Sequence, residues 1–383
     1  MKKIYYLGYY DVLENKKENR NYVLAASNKM TYICSVLRNV GYNVEVVSAA
    51  GTKNKKSCAG KYEKMKDGVN LKLFNSFGRG NKIKNVIDKL IIKWQLFFYL
   101  LKHVKRGEKV LVYHSLGYSK IIKFLKKIIG FKLILEVEEI YSDVSGDNKT
   151  RKIEQDIIEI ADAYIFPTEL LEEKLNKKNK PSVIIYGTYQ VEEERNCGFE
   201  SEDMKNKIHL LYAGTFDPRK GGAIAAAAAA GVLPSDYHIH VLGFGSEKDT
   251  NNLKKQIKYI SEKSEAGVTY DGLLSGEEYI RFVQSCQVGF STQMPDAAFN
   301  ETSFPSKVLS YLANGLRVVS VRIKALEKSA IGDLLYFYDE QTPESIAEAV
   351  KKIDFSQPYN SRKRIKELDK EFTKQIGEML NDL

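Results

Sequence analysis

The chain has 383 residues, of which 43% are hydrophobic and 28% charged, a composition that predicts a soluble globular protein with two domains of ordinary size. Four scattered cysteines without CxxC or metal-ligand spacing argue against a disulfide framework or a zinc site and favour reduced thiols in the cytoplasm. We expect neither a signal peptide in MKKIYYLGYY nor a membrane-spanning helix, since no apolar stretch approaches the required length.

The net charge of +10 is unevenly distributed along the chain. Residues 1–106 contain 22 Lys and Arg against 7 Asp and Glu, whereas the remainder is mildly acidic. A basic half beside an acidic one suggests a face that meets an anionic partner, either nucleic acid or an anionic lipid surface. The alternative is a lysine-rich but merely solvated surface.

The first half of the chain alternates strand-like and helix-like segments. Met30, Ile33, Leu37 and Val40 fall at helical spacing, and Gly41 follows where a helix commonly ends. A basic helix is expected at 120–129. Strand-length apolar runs lie at 3–7, 44–47, 69–74, 110–113, 133–137, 163–166 and 183–186. Strands that alternate with crossover helices predict a parallel, doubly wound sheet.

The same alternation restarts after a polar, acidic segment at 190–206, which we interpret as a linker. Helices are expected at 222–230 and 307–314. A charged amphipathic helix is expected at 361–383, with its apolar stripe buried back across the domain junction. Strand candidates lie at 208–213, 238–242, 268–270, 288–291, 317–320 and 334–338.

The sequence therefore predicts an α/β protein of two Rossmann-like domains facing each other across a cleft. We place the N-terminal domain at 1–189, the linker at 190–206, the C-terminal domain at 207–355 and the final helix at 356–383. Open parallel sheets bind ligands beyond the carboxyl ends of their strands, so a cleft between two such sheets is the expected binding site.

The clearest site signal is AGTFDPRKGG at 213–222, where an apolar strand meets a polar loop and an Ala-rich helix. Gly214 allows close approach of a ligand, Arg219 and Lys220 supply positive charge, and the helix near Gly221 presents free N–H groups. These features together suit a diphosphate. The pattern is neither GxGxxG nor GxxxxGK[ST], which argues against nicotinamide and ATP. An ordinary strand-to-helix turn is the alternative.

A second signal is NETSFPSKVLSYLANGLRVV at 300–319. Thr302 or Ser303 is expected to cap a helix whose free N–H groups lie near Phe304 and Lys307. A lysine in the first turn opposes the helix dipole at a cost of roughly 0.3–1 kcal/mol. Its position is easier to explain if Lys307 reaches an anionic ligand; a solvated Lys307 is the alternative.

Read in order, AGTFDPRKGG, VLGFGSE, VTYDGLLSGEEYIRFVQSCQVGFST and FPSKVLSYLANGLRVVS resemble retaining glycosyltransferases of the GT-B fold, family-4-like, of the kind that builds bacterial surface polysaccharides. The resemblance covers most of 207–352 and is fainter in EIADAYIFPTELLEEKL and VIIYGTY of the first half. It implies a nucleotide-diphosphate sugar as donor, a UDP-sugar rather than a GDP-sugar, bound by the C-terminal domain, and an acceptor on the N-terminal side.

The resemblance assigns donor diphosphate binding to residues of both halves. Lys220 matches the lysine of the family's basic pair, while Thr215 stands where the arginine is usual, so Arg219 is its expected substitute. Gly8 and the polar stretch 11–21 resemble the family's first loop, which approaches the donor phosphate. The implied diphosphate set is Gly8, Gly214, Thr215, Arg219, Lys220, Ser303, Phe304 and Lys307.

The implied sugar and nucleoside contacts depart from the family pattern. The two family glutamates align with Thr302 and Ser310, and Glu301 is expected to fill the first role after a small loop shift. Ser310 offers one short hydroxyl in place of a carboxylate for the ribose, which puts ribose recognition in doubt. The implied base and ribose set is Gly243, Tyr270, Leu273, Leu274 and Ser310.

The remaining candidates lie in the first half of the chain. His114 follows a strand, where it either faces the cleft or serves a structural role. Glu136, Glu138 and Glu139 form a carboxylate cluster in which one pKa is raised; we interpret them as solvated loop acids, with a general base as the alternative. The expected catalytic group is Lys220, Glu301 and His114. No DxD motif is present, and no metal or cofactor is expected.

Segment 81–106, NKIKNVIDKLIIKWQLFFYLLKHVKR, predicts a helix with a broad apolar face flanked by lysines. Such a helix suits an anionic membrane surface, and the alternative is an ordinary crossover helix packed on the sheet. Nucleic-acid binding is not expected, because the aromatic residues form no recognition motif.

The function implied is a metal-independent, retaining glycosyltransferase that acts on a glycan or lipid-linked glycan in surface polysaccharide biosynthesis, cytoplasmic or peripheral on the inner face of the plasma membrane. The alternatives are a sugar-nucleotide epimerase or phosphorylase of the same fold and a catalytically inactive scaffold or binding subunit.

Overall fold

The computed structural model describes residues 2–12, 15, 17–65, 67–141, 148–195, 197–217, 221–295, 300 and 303–383. The chain forms two compact units. Unit 1 comprises Met1–Pro167, Leu171–Thr188 and Lys370–Leu383, and unit 2 comprises Thr168–Leu170 and Tyr189–Asp369.

Unit 1 is built on an eight-stranded sheet with the strand order β3-β4-β2-β1-β5-β6-β7-β8. The central strands are apolar on both faces, because helices cover both sides of a parallel sheet. All neighbouring pairs are parallel except the edge pair of β3 and β4. The strands are β1 (Lys2–Gly8), β2 (Tyr42–Ser48), β3 (Lys61–Lys64), β4 (Asn70–Leu73), β5 (Lys109–Tyr113), β6 (Lys132–Glu136), β7 (Ala163–Phe166) and β8 (Ser182–Ile184).

The helices of unit 1 connect these strands and begin and end where the local sequence directs. The helix after β1 ends before Gly41, which has a φ of +91°, a left-handed conformation that glycine adopts readily. The helix after β4 is capped by the Asn81 side chain, which accepts from the backbone N–H of Lys84. The helices are α1 (Leu24–Asn39), α2 (Lys82–His103), α3 (Ser119–Ile129), α4 (Asn148–Ile160) and α5 (Glu169–Leu175), which spans the boundary between the two units.

Unit 2 has a six-stranded parallel sheet with the order β11-β10-β9-β12-β13-β14. Its strands are β9 (Ile208–Thr215), β10 (Tyr237–Phe244), β11 (Gly267–Gly272), β12 (Val288–Ser291), β13 (Arg317–Val321) and β14 (Leu335–Tyr338). Its helices are α6 (Glu202–Lys205), α7 (Gly222–Ala228), α8 (Glu247–Ser261), α9 (Gly276–Gln284), α10 (Ser306–Ala313), α11 (Lys324–Glu327) and α12 (Pro343–Lys351), with short 3-10 turns at Ala229–Val232 and Gly332–Leu334.

The last helix, α13 (Ser361–Asp382), belongs to both units, because residues from Lys370 onward cluster with unit 1. In unit 1 the ring of Phe372 stacks on that of Tyr32, with centroids 6.2 Å apart. The predicted fold of two parallel-sheet α/β domains with a final helix crossing back is confirmed.

Two local expectations need correction. The hairpin strand β3 was not expected, because KYEK at 61–64 is polar and lies at the sheet edge. The helix expected to be capped by Thr302 or Ser303 begins at Ser306 instead; Pro305 occupies the N-cap position and provides no side-chain hydrogen bond.

Within the part of the chain that the structure describes, no helix has both the length and the apolar character needed to cross a membrane.

Candidate functional site

The candidate donor site lies in unit 2, where β9 and β10 end side by side. Gly214 and Gly243 are paired in register at these two strand ends. A Cβ atom at Gly243 would lie 1.8 Å from the carbonyl oxygen of Gly214, and Gly243 has a φ of +133°. Only glycine satisfies both conditions, so the two strand ends pack backbone against backbone with no side chain between them.

Lys307 is held over this edge. Its Nζ lies 3.1 Å from the Cβ position at Gly214 and 4.1 Å from the centroid of the Tyr212 ring. The Tyr212 hydroxyl donates to the carbonyl oxygen of Thr215 (3.2 Å). The fold thus brings together Gly214, Thr215 and Lys307, three of the residues expected to bind the diphosphate. The sequence did not indicate Tyr212, whose ring contacts the Lys307 ammonium group, because a tyrosine inside an apolar strand looks like a core residue.

The start of α7 is fixed against a neighbouring strand end. A Cβ atom at Gly222 would lie 2.1 Å from the carbonyl oxygen of Thr292, and the Thr292 hydroxyl donates to the carbonyl oxygen of Gly222 (2.7 Å). Gly221 adopts a left-handed φ of +63° at the N-cap position. The glycine pair therefore permits the start of α7 to pack closely against the residue that follows β12.

Helix α10 is tied to β9 by a buried tyrosine. The Tyr311 hydroxyl accepts from the backbone N–H of Ala213 (2.8 Å), which fixes the helix next to the strand end. Ser303 and Phe304 precede the helix and are partly buried. Ser310 is partly buried on α10, as is Tyr279 on α9; burial raises the pKa of Tyr279, and the nearby Ser310 side chain opposes that rise. The position that aligns with the family's second glutamate therefore carries a short, partly buried hydroxyl side chain.

The segment expected to hold the base carries aromatic rings at the end of β11. The ring of Tyr270 meets Phe216 edge-on at 5.7 Å, and its hydroxyl donates to the carbonyl oxygen of Gly243 (3.3 Å). Leu274 is partly buried, whereas Leu273 is 64% exposed. Gly243 and Tyr270 therefore lie together, with an exposed apolar side chain beside them.

Four other candidates, Arg219, Lys220, Glu301 and Thr302, lie outside the described residues.

Two unit-1 candidates are packed inside that unit. Gly8 ends β1, and a Cβ atom there would meet the Met30 side chain of α1 at 2.6 Å. His114 is 2% exposed and packs against the Tyr141 ring at 5.1 Å, with its Nε2 3.9 Å from a Glu154 carboxylate oxygen. Burial lowers the pKa of His114, so the imidazole is neutral at physiological pH.

The interpretation of Glu136 as a solvated loop acid is wrong. Glu136 ends β6 with its side chain fully buried, and the Tyr6 hydroxyl of β1 donates to its carboxylate. Burial, followed by the negative charge of Glu138, raises the pKa of Glu136 to about 8, although Lys29 opposes this. Lys29 donates to Glu138 at 2.5 Å. The expected raised pKa therefore belongs to Glu136, while Glu138 is partly exposed and Glu139 is exposed.

Unit 1 also contains a cavity of about 460 Å³ that the sequence did not indicate. It lies at the carboxyl ends of β1, β2 and β5, and its lining includes Arg79 together with Lys89 and Lys93 of α2. The signal was present as lysines at positions i and i+4, but these resemble the solvated flank of an amphipathic helix.

Among the residues that the structure describes, no group of three or more His, Cys, Asp or Glu side chains is arranged to hold a metal ion.

Residues 207–353 match the family described as Glycosyl transferases group 1. Sucrose-phosphate synthase from Thermosynechococcus elongatus superposes with a TM-score of 0.69 at 14% identity, covering 100% of this chain and 99% of that one. HepE from Anabaena, in complex with UDP and glucose, superposes with a TM-score of 0.65 at 11% identity, with 100% of both chains covered.

A third structure, described as trehalose-6-phosphate from E. coli bound with UDP-2-fluoro glucose, superposes with a TM-score of 0.67 at 9% identity. It covers 99% of this chain and 98% of that one. No curated protein sequence matches the chain. At these identities the structural likenesses show the fold, and the family match covers the second unit.

Proposed function

We propose that this protein, a glycosyltransferase that carries a group 1 domain on a GT-B fold, transfers a sugar from a nucleotide-diphosphate sugar to a glycan or lipid-linked glycan. Two of the similar structures hold UDP or a UDP-sugar, which favours a UDP-sugar over a GDP-sugar as donor. Unit 2 is the donor side in this proposal, and unit 1 is the acceptor side.

The observation that carries the proposal is the position of Lys307 over Gly214. A lysine whose Nζ lies 3.1 Å from the Cβ position of a glycine can meet a ligand that contacts the bare backbone there. Anionic groups of ligands bind at the carboxyl ends of parallel strands, and a positioned cation stabilises charge on a departing diphosphate. Gly214, Thr215, Ser303, Phe304 and Lys307 would hold the diphosphate together with Gly8, Arg219 and Lys220, and Gly243, Tyr270, Leu273, Leu274 and Ser310 the nucleoside.

Calorimetric titration with UDP, GDP and uridine tests the donor site. We expect UDP to bind more tightly than GDP, and Lys307→Ala to weaken UDP binding about tenfold or more, because a charge-assisted hydrogen bond contributes roughly 1.5–3 kcal/mol. The affinity for uridine, which has no phosphate, should change little in Lys307→Ala. Lys255→Ala, which removes an exposed lysine of α8, is the matched control. Equal UDP affinity in the wild type and Lys307→Ala would remove Lys307 from the site.

The chemistry we propose is front-face displacement with retention and without a metal ion. The leaving diphosphate would take the proton of the acceptor hydroxyl, and Lys220 and Lys307 would stabilise its charge. Glu301 would contact the donor sugar. His114, which is buried and neutral, would act by positioning its neighbours. The anomeric configuration of the product, read by NMR, tests retention, and turnover in excess EDTA tests metal independence.

We further propose that the enzyme acts in surface polysaccharide biosynthesis at the cytoplasmic face of a membrane, docked through segment 81–106. The support is an apolar face of α2 that is turned away from the sheet, flanked by lysines and continued on α3 by Phe124 and Ile128, which are also exposed. Trp94 and Phe98 are 59% and 58% exposed, and their rings stack at 5.7 Å. The other exposed members of this face are Ile83, Val86, Ile87, Leu90 and Leu101.

An exposed apolar helix face with flanking cations suits an anionic lipid surface. Trp94 is the only tryptophan of the chain, so its fluorescence reports on this face directly. We expect phosphatidylglycerol vesicles to shift its emission to shorter wavelength and phosphatidylcholine vesicles to have little effect. In co-sedimentation, Phe98→Ser should reduce binding, whereas Tyr259→Ser, at an exposed aromatic of unit 2, should not. Unchanged emission with both vesicle types would refute the membrane proposal.

The alternative of an inactive binding subunit is favoured by Ser310, which offers one short hydroxyl where the family's second glutamate would supply a carboxylate. UDP binding without hydrolysis or transfer from any UDP-sugar would support this alternative.

A further inference from the structure

The cavity of unit 1 lies at the topological switch point of the sheet, where the strand order reverses. β2 and β5 lie on opposite sides of β1, so the loops that follow β1 and β5 diverge. Tyr9 after β1, Gly51 after β2 and Tyr118 after β5 line the cavity, with the rings of Tyr9 and Tyr118 5.5 Å apart. In open parallel sheets this switch point is where ligands bind. The position of the cavity therefore predicts a ligand site.

Helix α2 forms one side of the cavity, and its cations are available to a ligand. Ile92 and Leu96 line the cavity with apolar surface, while Lys89 and Lys93 stand exposed at its rim. Arg79, in the loop before the helix, contributes a third exposed cation. None of the three forms an ion pair within the described part of the chain, so their charge is not neutralised there.

The one carboxylate in the lining is already occupied. Asp88 accepts from the Ser76 hydroxyl (2.9 Å) and from the backbone N–H of Phe77 (2.6 Å), which fixes the loop before α2 to the helix. A carboxylate used in this way competes little with a ligand for the cations. Three cations against one engaged carboxylate make the cavity attractive to an anion.

The loops around the cavity are also held in place in advance. The buried Arg20 guanidinium donates to the carbonyl oxygens of Ala50 and Phe74, both at 2.9 Å, and to that of Ala59 at 3.2 Å. It thereby ties the loop after β2 to the loop after β4. A site with fixed walls binds its ligand at a lower entropic cost.

The two faces of α2 indicate the chemistry of the ligand. At about 100° per residue, Lys89 and Lys93 lie between the cavity face, with Ile92 and Leu96, and the exposed apolar face, with Trp94. An anionic group in the cavity would thus sit beside apolar surface that faces outward. A phosphate ester with an attached hydrocarbon chain fits both faces, while a soluble phosphate ester uses the cavity alone.

We infer that the cavity of unit 1 binds the phosphate group of the acceptor, with Arg79, Lys89 and Lys93 around it. The inference rests on the proposed glycosyltransferase function and names the acceptor class: a phosphate ester, carried either on a lipid or on a soluble sugar.

Titration of the full-length protein with inorganic pyrophosphate, in saturating UDP and at constant ionic strength, tests the site. UDP fills the donor site, so the remaining pyrophosphate binding reports on unit 1. We expect a Lys89→Ala, Lys93→Ala double variant to bind pyrophosphate at least tenfold more weakly, because two charge-assisted hydrogen bonds are lost. Lys152→Ala, at an exposed lysine of α4 away from the cavity, should change affinity less than twofold.

Equal pyrophosphate affinity in the double variant and the wild type, or no binding by the wild type, overturns the inference. Arg79→Gln, in the exposed loop, provides a second variant that does not touch the helix and should also weaken binding. If the double variant and Arg79→Gln keep the wild-type melting temperature, their weaker pyrophosphate binding reflects loss of the site and not loss of the fold.

Vesicles distinguish the two sources of phosphate. Phosphatidic acid presents a phosphate monoester, whereas phosphatidylglycerol presents only a diester of similar charge. A lipid headgroup is identified if the protein prefers phosphatidic acid vesicles, if pyrophosphate displaces it from them, and if the double variant loses the preference. A soluble phosphate ester is identified if the protein binds pyrophosphate but shows no such preference. If UDP does not bind at all, the donor proposal fails, yet the pyrophosphate comparison between wild type and double variant still decides the cavity.

Discussion

Glu136 is a buried carboxyl whose ionisation works against folding, and we predict that Glu136→Gln stabilises unit 1 at neutral pH. Glutamine has the same shape and can accept from the Tyr6 hydroxyl as the carboxylate does. The substitution therefore removes the titratable group and keeps the hydrogen bond from Tyr6.

The magnitude follows from the raised pKa. Burial raises the pKa of Glu136 from its ordinary value of 4.5 to about 8, so the folded protein holds a proton that the unfolded chain releases. For an acid raised in this way, the free energy of unfolding falls as pH rises from the unfolded pKa towards the folded one. At about 1.4 kcal/mol per pH unit, the loss between pH 5 and pH 8 is at most about 4 kcal/mol.

Urea denaturation followed by Trp94 fluorescence measures this effect, because Trp94 lies in α2 and reports on unit 1. The gain of Glu136→Gln over wild type should be smallest at pH 5 and rise by about 2–4 kcal/mol at pH 8. Glu159→Gln, at an exposed acid of α4, serves as the control and should follow the wild type at every pH. A constant difference between Glu136→Gln and wild type across pH 5–8 would falsify the reasoning.

Three further substitutions test packing elsewhere. Gly243→Ala should destabilise unit 2 by about 2–4 kcal/mol and weaken UDP binding, because its Cβ collides with the Gly214 carbonyl oxygen; thermal melting and UDP titration measure both. Arg20→Met should cost about 3–5 kcal/mol in urea denaturation, since it leaves Glu18 and three backbone carbonyl oxygens without their donor. Phe199→Ala, which removes a ring stacked on His240 at 4.8 Å, should cost about 1 kcal/mol and speed proteolysis of segment 190–206; unchanged cleavage would contradict an anchored linker.

The fold was predictable because its signals are local. Strand-length apolar runs and the glycine after α1 follow from neighbouring residues alone, and both appear in the structure close to the expected positions. The edge strand β3 was not predictable in this way, since KYEK at 61–64 becomes a strand through antiparallel pairing with β4. Pairing at a sheet edge depends on the partner strand more than on the strand itself.

The site was predictable only in part, because the burial of a side chain and its contacts depend on residues far away in the sequence. The bare strand end at Gly214 and the nearby Lys307 could be anticipated from motif order. The burial of Glu136 depends on Tyr6, 130 positions earlier in the chain, and on Lys29 of α1, so its raised pKa could not be assigned from neighbouring residues. In the same way, Lys89 and Lys93 become cavity residues only because three strand ends meet beside α2.

The C-terminal helix has a consequence for the order of folding during synthesis. Phe372, Ile376 and Leu380 of α13 are buried, and the Tyr42 hydroxyl of β2 donates to the carbonyl oxygen of Leu380 (3.5 Å). These contacts complete unit 1, yet all of Tyr189–Asp369 is translated before they can form. Domains generally fold in turn as they emerge from the ribosome. Here the first unit begun should be the last one finished, and a nascent chain that stops within unit 2 should leave apolar surface of unit 1 open to chaperones.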